Sequence, residues 1–531
     1  MSVGDQVLDD TRLSQVETPP PVTMAEPEST QVDTGGKGWI LPMLVLVSGM
    51  FMSILDTTIV NVAVVDIQRD FGATTDQVQW IATAYTLSEG VVVPVSAWLG
   101  LRFGMKRVYN IALVLFAAGS VLCGLAWSLD SLILFRVVQA IPGGVLPAIT
   151  LTMVYALVPK DKLGQAMGMY GLGIIFAPAL GPVVGGYLVE YVNWRLIFYI
   201  NLPIGILGAL AAVFVLPNFP TAKAGKFDWL GFAAIATSLA TLLLALEEGS
   251  SWGWTSGRIV TLFAVSIISL ALFVVIELEV DEPLLDVRVF LRWQYTNSLL
   301  LISILVAGLF AVVFYLPLFL QQAQGLGAFD AGLVLLPQAL AMAVVMPIAG
   351  LLYDKIGPRW PAVIGLVITA WGTYLLHDIT VDTSRSTIVW YLVIRAVGLG
   401  LAMMPIMTGG VASVPDRLVA AASAYNNVVQ RAAQAFGLAV LTAFMTGWQA
   451  SLISGRGALV PADAPAIGAA AQQEMMQTYQ QYSQAQTQVF VAALDQLMVV
   501  TAVLTAVGVV LALFLRSGPT APSEEPRVMA H

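Results

Sequence analysis

Fourteen stretches of this chain run for about 20 predominantly apolar residues, the length a helix needs to cross a hydrocarbon layer. They fall at 40–65, 78–101, 108–127, 131–156, 163–189, 195–216, 227–247, 258–277, 296–321, 328–353, 359–378, 387–411, 418–447 and 490–515. Only 11% of all residues are charged and 58% are hydrophobic, with mean hydropathy +0.82, whereas soluble domains carry about 25% charged residues. The pattern predicts an all-α polytopic membrane protein.

The Lys/Arg bias of the loops predicts its orientation. With the N-terminus cytoplasmic, inside segments hold about sixteen of the 24 basic residues, among them Arg102, Lys106, Arg107, Lys160, Lys162, Arg288, Arg292, Lys355, Arg359, Arg417 and Arg516. Outside loops hold about five: Arg69, Arg195, Arg258, Arg385 and Arg456. Both termini are then cytoplasmic, which requires an even helix count and favours fourteen over thirteen.

The chain also repeats itself. Pro159-Lys160-Asp161-Lys162-Leu163 with Ala166 and Tyr170 is echoed by Pro415-Asp416-Arg417-Leu418 with Ala421 and Tyr425. Arg136, followed by Gly143, Gly144 and Pro147, is echoed by Arg395, followed by Gly398, Gly400 and Pro405. The echoes align if the two middle helices are an insertion, giving six plus two plus six helices with parallel halves. The expected divisions are a cytoplasmic tail (1–38), a six-helix bundle (39–217), two inserted helices with a cytoplasmic linker (218–294), a second bundle (295–516) and a cytoplasmic tail (517–531). The second bundle carries an extracytoplasmic loop, 448–489, whose Gln-rich part (472–488) is either an amphipathic surface helix or a plain loop.

Several functions are excluded early. Residues 1–37 hold seven acids against Arg12 and Lys37, with Pro19-Pro20-Pro21, a composition that predicts disorder and lacks the marks of a secretory signal peptide. The single cysteine, Cys123, excludes an internal disulfide, and two histidines without paired Cys/His spacing speak against a metal site. No P-loop or nucleophile–base pair is present, which excludes an intrinsic ATPase and argues against an enzyme. Nothing suggests nucleic-acid binding, and no cofactor is expected.

The segment Gly171 to Gly186 is too apolar for a loop and too rich in Gly and Pro for a soluble helix. Each Gly costs about 1 kcal/mol in a helix interior and each Pro about 3; both survive in membranes, where neighbouring helices re-satisfy the backbone. Gly173, Pro178, Gly181, Pro182, Gly185 and Gly186 allow close backbone approach and a bend. Close packing alone is the plainer reading, but the spacing is far more specific than a lone G-x-x-x-G.

Charges inside membrane helices are costly and mark function by default. Asp56 sits in the outer half of the first helix, Glu89 near the middle of the second, and Arg136 one turn into the fourth. Asp56 and Arg136 can share a depth at 1.5 Å rise per residue. Burial favours a neutral acid and a nearby guanidinium favours the carboxylate, so an acid held between them can take up and release protons. A static ion pair locking two helices is the alternative. Arg136 modulates rather than carries, since guanidinium keeps its proton. Arg395 and Arg431 are the intramembrane bases of the second half.

The loop after helix two, Ala97 to Arg107, has a counterpart in Gly350 to Arg359. Its glycines permit a tight turn, and Asp354 can cap a neighbouring helix N-terminus and latch one conformation, with Arg359 beside it. Topology-setting charge alone is the alternative. A substrate cavity is expected between the halves near the midplane, lined from Tyr85, Tyr170, Phe314, Tyr315, Gln338, Met403, Met404, Met407, Tyr425, Asn426, Asn427 and Gln430. Aromatic faces and thioethers suit varied amphipathic or cationic guests, though core packing explains the same residues.

Together these stretches resemble the fourteen-helix drug:proton antiporters, the EmrB/QacA-like branch of the major facilitator superfamily. The resemblance runs from about residue 39 to 516. It is carried by Leu55-Asp56-x-Thr58-Ile59-Val60-Asn61-Val62-Ala63, Arg136-x-x-Gln139, the Gly173 to Gly186 motif, and Trp194-Arg195-x-Ile197-Phe198-x-Ile200-Asn201-x-Pro203-Ile204-Gly205. It implies a multi-pass protein of the cell membrane with the major facilitator fold. It also implies export of hydrophobic or cationic toxic compounds by alternating access, energised by a proton gradient. The partners implied are the bilayer, amphipathic substrates and protons; nothing indicates the periplasmic adaptor that some relatives use. The chain departs from the family pattern at Ala97, Leu101 and Ala140, leaving the latch to Asp354. It also carries Asn427-x-x-Gln430-Arg431 for the family's Asn-x-x-Arg-Gln, which turns the base by about 100°, so the resemblance gives Arg431 no role. A dedicated exporter of one lipid or natural product fits the same motifs. A non-transporting sensor or scaffold is disfavoured by the intact motif and the buried acids.

Overall fold

A computed structural model of the protein describes residues 38–219, 226–280, 283–454 and 469–516. The expected tails, residues 1–37 and 517–531, and the middle of the long loop, 455–468, lie outside the described residues. The first bundle consists of α1 (Ile40–Phe71), α2 (Thr75–Phe103), α3 (Met105–Gly124), α4 (Leu129–Leu157), α5 (Leu163–Tyr191) and α6 (Leu196–Val215). The inserted pair is α7 (Trp229–Trp252) and α8 (Gly257–Glu279). The second bundle consists of α9 (Trp293–Gln322), α10 (Ala328–Ile356), α11 (Arg359–Leu375), α12 (Arg385–Val411), α13 (Val419–Ser454) and α14 (Ala469–Ala512).

Thirteen of these helices are long and apolar enough to cross a membrane. The remaining one, α2, has 29 residues and opens with a reciprocal cap between Thr74 and Gln77. The fourteen predicted helices are therefore all present, in the expected order. The Gln-rich segment departs from expectation: it is neither a separate surface helix nor a loop, but the opening turns of α14. That helix has 44 residues, about 66 Å at 1.5 Å per residue, so it extends well past a hydrocarbon core of about 30 Å.

Apolar packing divides the molecule by height. At the end bearing the Lys/Arg-rich turns, one core joins both bundles, combining Leu157, Met167 and Tyr170 with Met346, Met403, Met404 and Met407. At the opposite end there are two separate cores. One holds Ile59, Val78, Ile81 and Phe198 of the first bundle, the other Tyr315, Phe319, Leu376 and Leu494 of the second. The bundles are thus sealed together at the basic end and packed independently at the other.

The two basic turns are built alike. Gly104 at the end of α2 has φ +87° and Gly357 at the end of α10 has φ +80°, a region glycine reaches without steric cost. Between the bundles, α5 lies against α10, while α7 packs on both α2 and α13 across the opposite seam. A Cβ at Gly90 of α2 would meet Leu243 of α7 at 2.7 Å, so the inserted pair seats closely on the first bundle.

Candidate functional site

The first polar site lies wholly within the first bundle. Asp56 of α1 is 0% exposed and Arg136 of α4 is 1% exposed, and the two form a close ion pair. Gln139 Nε2 donates to Asp56 Oδ1 at 3.0 Å, and Asn201 Nδ2 of α6 donates to the same oxygen at 2.7 Å. Asn201 also donates to Ser120 Oγ of α3 at 2.9 Å, and Arg136 Nη1 donates to Gln139 Oε1 at 2.9 Å. The Arg136 guanidinium lies 3.9 Å from the centroid of the Tyr85 ring. Helices α4 and α6 thus converge on a carboxylate of α1 whose two oxygens are both engaged. Gln139 and Asn201 belong to the quoted motifs, yet nothing in those motifs says that both point at Asp56.

The second site joins the bundles. Arg431 of α13 grips Glu89 of α2 with both nitrogens: Nη1 donates to Oε2 at 2.7 Å, and Nη2 pairs with Oε1. Glu89 is 1% exposed while the Arg431 side chain is 20% exposed, so the pair is open on the arginine side. A bidentate grip of this kind is among the stronger hydrogen-bonded arrangements. The residue-order argument gave Arg431 no role, and the structure gives it a partner. Depth alone could have found it: Arg431 lies about 18 Å from the basic end of α13 and Glu89 about 21 Å from that of α2.

Helix α5 uses its small residues on two faces. On one, Gly173 approaches α1, where an added Cβ would lie 2.7 Å from Met50 Cε. Added Cβ atoms at Gly181 and Gly185 would lie 3.2 Å from Ile59 N and 2.8 Å from Ile59 Cγ1. On the other face, a Cβ at Gly168 would lie 2.7 Å from Pro347 Cα of α10, and one at Gly171 would lie 2.8 Å from Met404 Sδ of α12. The motif glycines therefore press α5 onto the helix that carries Asp56, and their earlier neighbours press it onto the other bundle. Gly186 has nothing within 4 Å of an added Cβ, Pro178 is half-buried, and the side chain of Pro182 lies outside the described residues.

At the basic end, Gly164 N in the first turn of α5 donates to Asp354 Oδ1 at 2.9 Å, a carboxylate at a helix N-terminus that also spans the two bundles. Arg359 donates instead to the carbonyl of Leu513 after α14.

The other residues singled out in the sequence do not form one lining. Asn426 is fully buried and pairs with Gln430, on the same helix and just before Arg431. Asn427 Nδ2 donates to Ser423 O at 2.9 Å. Met403, Met404, Met407 and Tyr170 lie in the shared core at the basic end. Gln338 is buried, and its Oε1 has no partner among the described residues. Three stand elsewhere. Tyr425 donates to Leu285 O at 2.9 Å and packs on Phe290 in the linker before α9. Tyr315 donates to Thr442 Oγ1 at 2.7 Å in the second bundle's own core. Phe314 is exposed, edge-on to Tyr315.

Comparison with known proteins bears on the family and the fold. Residues 46–438 match the Major Facilitator Superfamily. The chain is 35% identical over 404 residues to the uncharacterized MFS-type transporter YhcA of Bacillus subtilis (strain 168), covering 76% of each chain. It is 30% identical over 438 residues to the multidrug resistance protein B homolog of Mycobacterium tuberculosis (strain ATCC 25618 / H37Rv), covering 81% of each. The solved structure of the proton:xylose symporter XylE superposes with a TM-score of 0.57 at 13% identity, covering 91% of this chain and 97% of that one. The two six-helix bundles, the matched span and these relatives lead to one conclusion: the chain belongs to the Major Facilitator Superfamily, as a multi-pass transporter of the cell membrane rather than an enzyme.

Proposed function

We propose that this protein is a proton-coupled antiporter that exports hydrophobic or cationic compounds, antibiotics among them, by alternating access. The observation that carries the reading is the Glu89–Arg431 pair, a buried carboxylate held across the bundle interface and open to one side. The relative named for multidrug resistance supports the substrate class. With the basic end in the cytoplasm, as the loop charges favour, the sealed end is cytoplasmic and this conformation faces outward.

Three partners then compete for Glu89. In the outward-facing state Arg431 holds it. A proton arriving from outside neutralises the carboxyl group, removes the bridge and so favours the inward-facing state, because a ligand shifts an equilibrium only through its unequal affinity for the two states. On the cytoplasmic side the proton leaves, and a cationic guest takes its place on the carboxylate. Return to the outward state brings Arg431 back and displaces the guest. Asp56, saturated within one bundle, holds α1, α4 and α6 as a unit and keeps its partners through the cycle. Asp354 on Gly164 N latches the cytoplasmic seal.

The reading is tested in everted vesicles energised by an imposed pH gradient, with a panel of cationic dyes, drugs and lipids. Gradient-dependent uptake of several cations that Glu89→Gln removes is the expected outcome; uptake needing no gradient refutes it. If a single lipid or natural product outcompetes every other compound, the protein is instead a dedicated exporter working by the same coupling.

A further inference from the structure

At the basic end the inserted helices are built into the second bundle. Ala234 and Ile235 of α7 and Phe273 of α8 share a core with Tyr295 of α9 and with Ala422 and Tyr425 of α13, and no buried member of that core comes from the first bundle. The linker closes the joint. Leu285 N donates to both carboxylate oxygens of Glu277 at the end of α8, at 3.3 and 3.2 Å, while Leu285 O accepts from Tyr425 of α13. Nearer the outer end α7 meets the first bundle instead, with Leu243 against Gly90 and Glu247 facing the Thr83 hydroxyl, both on α2. Neither the shared core nor the first bundle's outer core holds a residue of either inserted helix. The pair therefore moves with the second bundle, and rocking slides the outer part of α7 along α2.

Glu247 lies on that sliding surface without a base. It is about 7.5 Å from the outer end of α7, and its partner Thr83 is about 9 Å outward of Glu89. The polar side chains facing it are Thr83, 6% exposed, and Glu248 of its own helix. Glu248 is itself engaged, accepting from Ser251 Oγ at 2.7 Å. Among the described residues α8 and α13 turn no charged group toward Glu247. Arg258 of α8 lies over the Trp252 ring at 5.9 Å, and Arg431 of α13 is taken by Glu89. Glu247 is only half-buried, so its carboxylate can be hydrated in this state. Closing the outer seam expels that water. A carboxylate without a counter-ion cannot follow into an apolar contact, whereas a neutral acid can.

We propose that Glu247 is a second proton-binding site of the transport cycle. A proton taken from external water neutralises its carboxyl group and lets the outer seam close over it; the same proton returns to external water when the seam reopens. Glu89 carries protons across, and Glu247 sets the external pH at which closure occurs. The inference rests on the antiport reading above. The Arg431 bridge is the stronger of the two restraints, so Glu89→Gln still closes.

The test is a set of spin-label distances in lipid nanodiscs, followed against pH in a Cys123→Ser background. Labels at Trp127→Cys of the first bundle and Ser250→Cys of α7, both exposed, should change their separation on acidification. Ser250→Cys with Val381→Cys of the second bundle should hold theirs. Each linked proton contributes about tenfold per pH unit, so the closed-to-open ratio should rise by up to about 100-fold per unit. Glu247→Gln should reduce that slope to about tenfold and leave closure itself intact. A slope of only about tenfold without the Glu247 substitution overturns the proposal with no recourse to that variant. So does a Glu247→Gln slope equal to the parent's, or an α7 label that keeps its distance from the first bundle and changes it from the second. Failure of the antiport reading shows separately, as a Glu89→Gln protein that opens and closes like the parent.

Discussion

Asp56 and Glu89 are both carboxylates withdrawn from solvent and both paired to arginine, yet they sit in opposite mechanical positions. Asp56 is held by Arg136, Gln139 and Asn201, all from its own bundle. Glu89 is held by one residue from the other bundle, and that residue is part-exposed. Rigid rocking of one bundle against the other leaves the first set of contacts intact and breaks the second. A buried acid reports on conformation only when its partner moves relative to it.

The largest expected effect on transport comes from cutting the contact between bundles. Glu89→Gln should lower pH-driven transport by about 100-fold, corresponding to about 3 kcal/mol for a disrupted buried ion pair, while the purified protein keeps its fold. This is read as initial rates in everted vesicles. If Asp56→Asn instead abolishes coupling and Glu89→Gln leaves it, the roles assigned to the two acids are reversed.

Asp56→Asn should act mainly on stability. It leaves Arg136 buried without its counter-ion, a change that costs about 3–5 kcal/mol, so the melting temperature should fall while any folded protein still responds to the pH gradient. Arg431→Lys sharpens the comparison further. A lysine keeps the charge but not the two-pronged grip, and transport should fall about tenfold, the equivalent of about 1.4 kcal/mol. The smallest effect is expected at the latch. Asp354→Asn turns one charge-assisted bond to Gly164 into a neutral one, a loss of about 1 kcal/mol, and should raise the inward-facing population seen by cysteine accessibility at the seam between the bundles on the basic side.

Much of this was legible in the sequence, for identifiable reasons. Helix number and order followed from apolar run length, because hydrocarbon forces every backbone group into internal bonding. The Asp56–Arg136 pairing followed from matched depth. Gln139 and Asn201 were visible as motif residues, but their convergence on Asp56 depends on helix rotation, which residue type does not encode. Order within a motif gives Arg431 no role, because its partner comes from the other bundle; only the matched depth of Arg431 and Glu89 carries a signal of that contact. The Gln-rich run that opens α14 is not legible as part of that helix, because its polarity marks the end of the membrane but says nothing about where the helix ends.

The most direct measurement is the distance between the outer ends of the two bundles as a function of pH. Spin labels placed by Trp127→Cys and Val381→Cys, both exposed and both at the end opposite the basic turns, report it in a Cys123→Ser background in lipid nanodiscs. Acidification should shorten the distance in the otherwise unaltered protein and in Asp56→Asn, while Glu89→Gln should show the short distance at every pH. A Glu89→Gln protein that opens and closes with pH as the parent does would contradict the account.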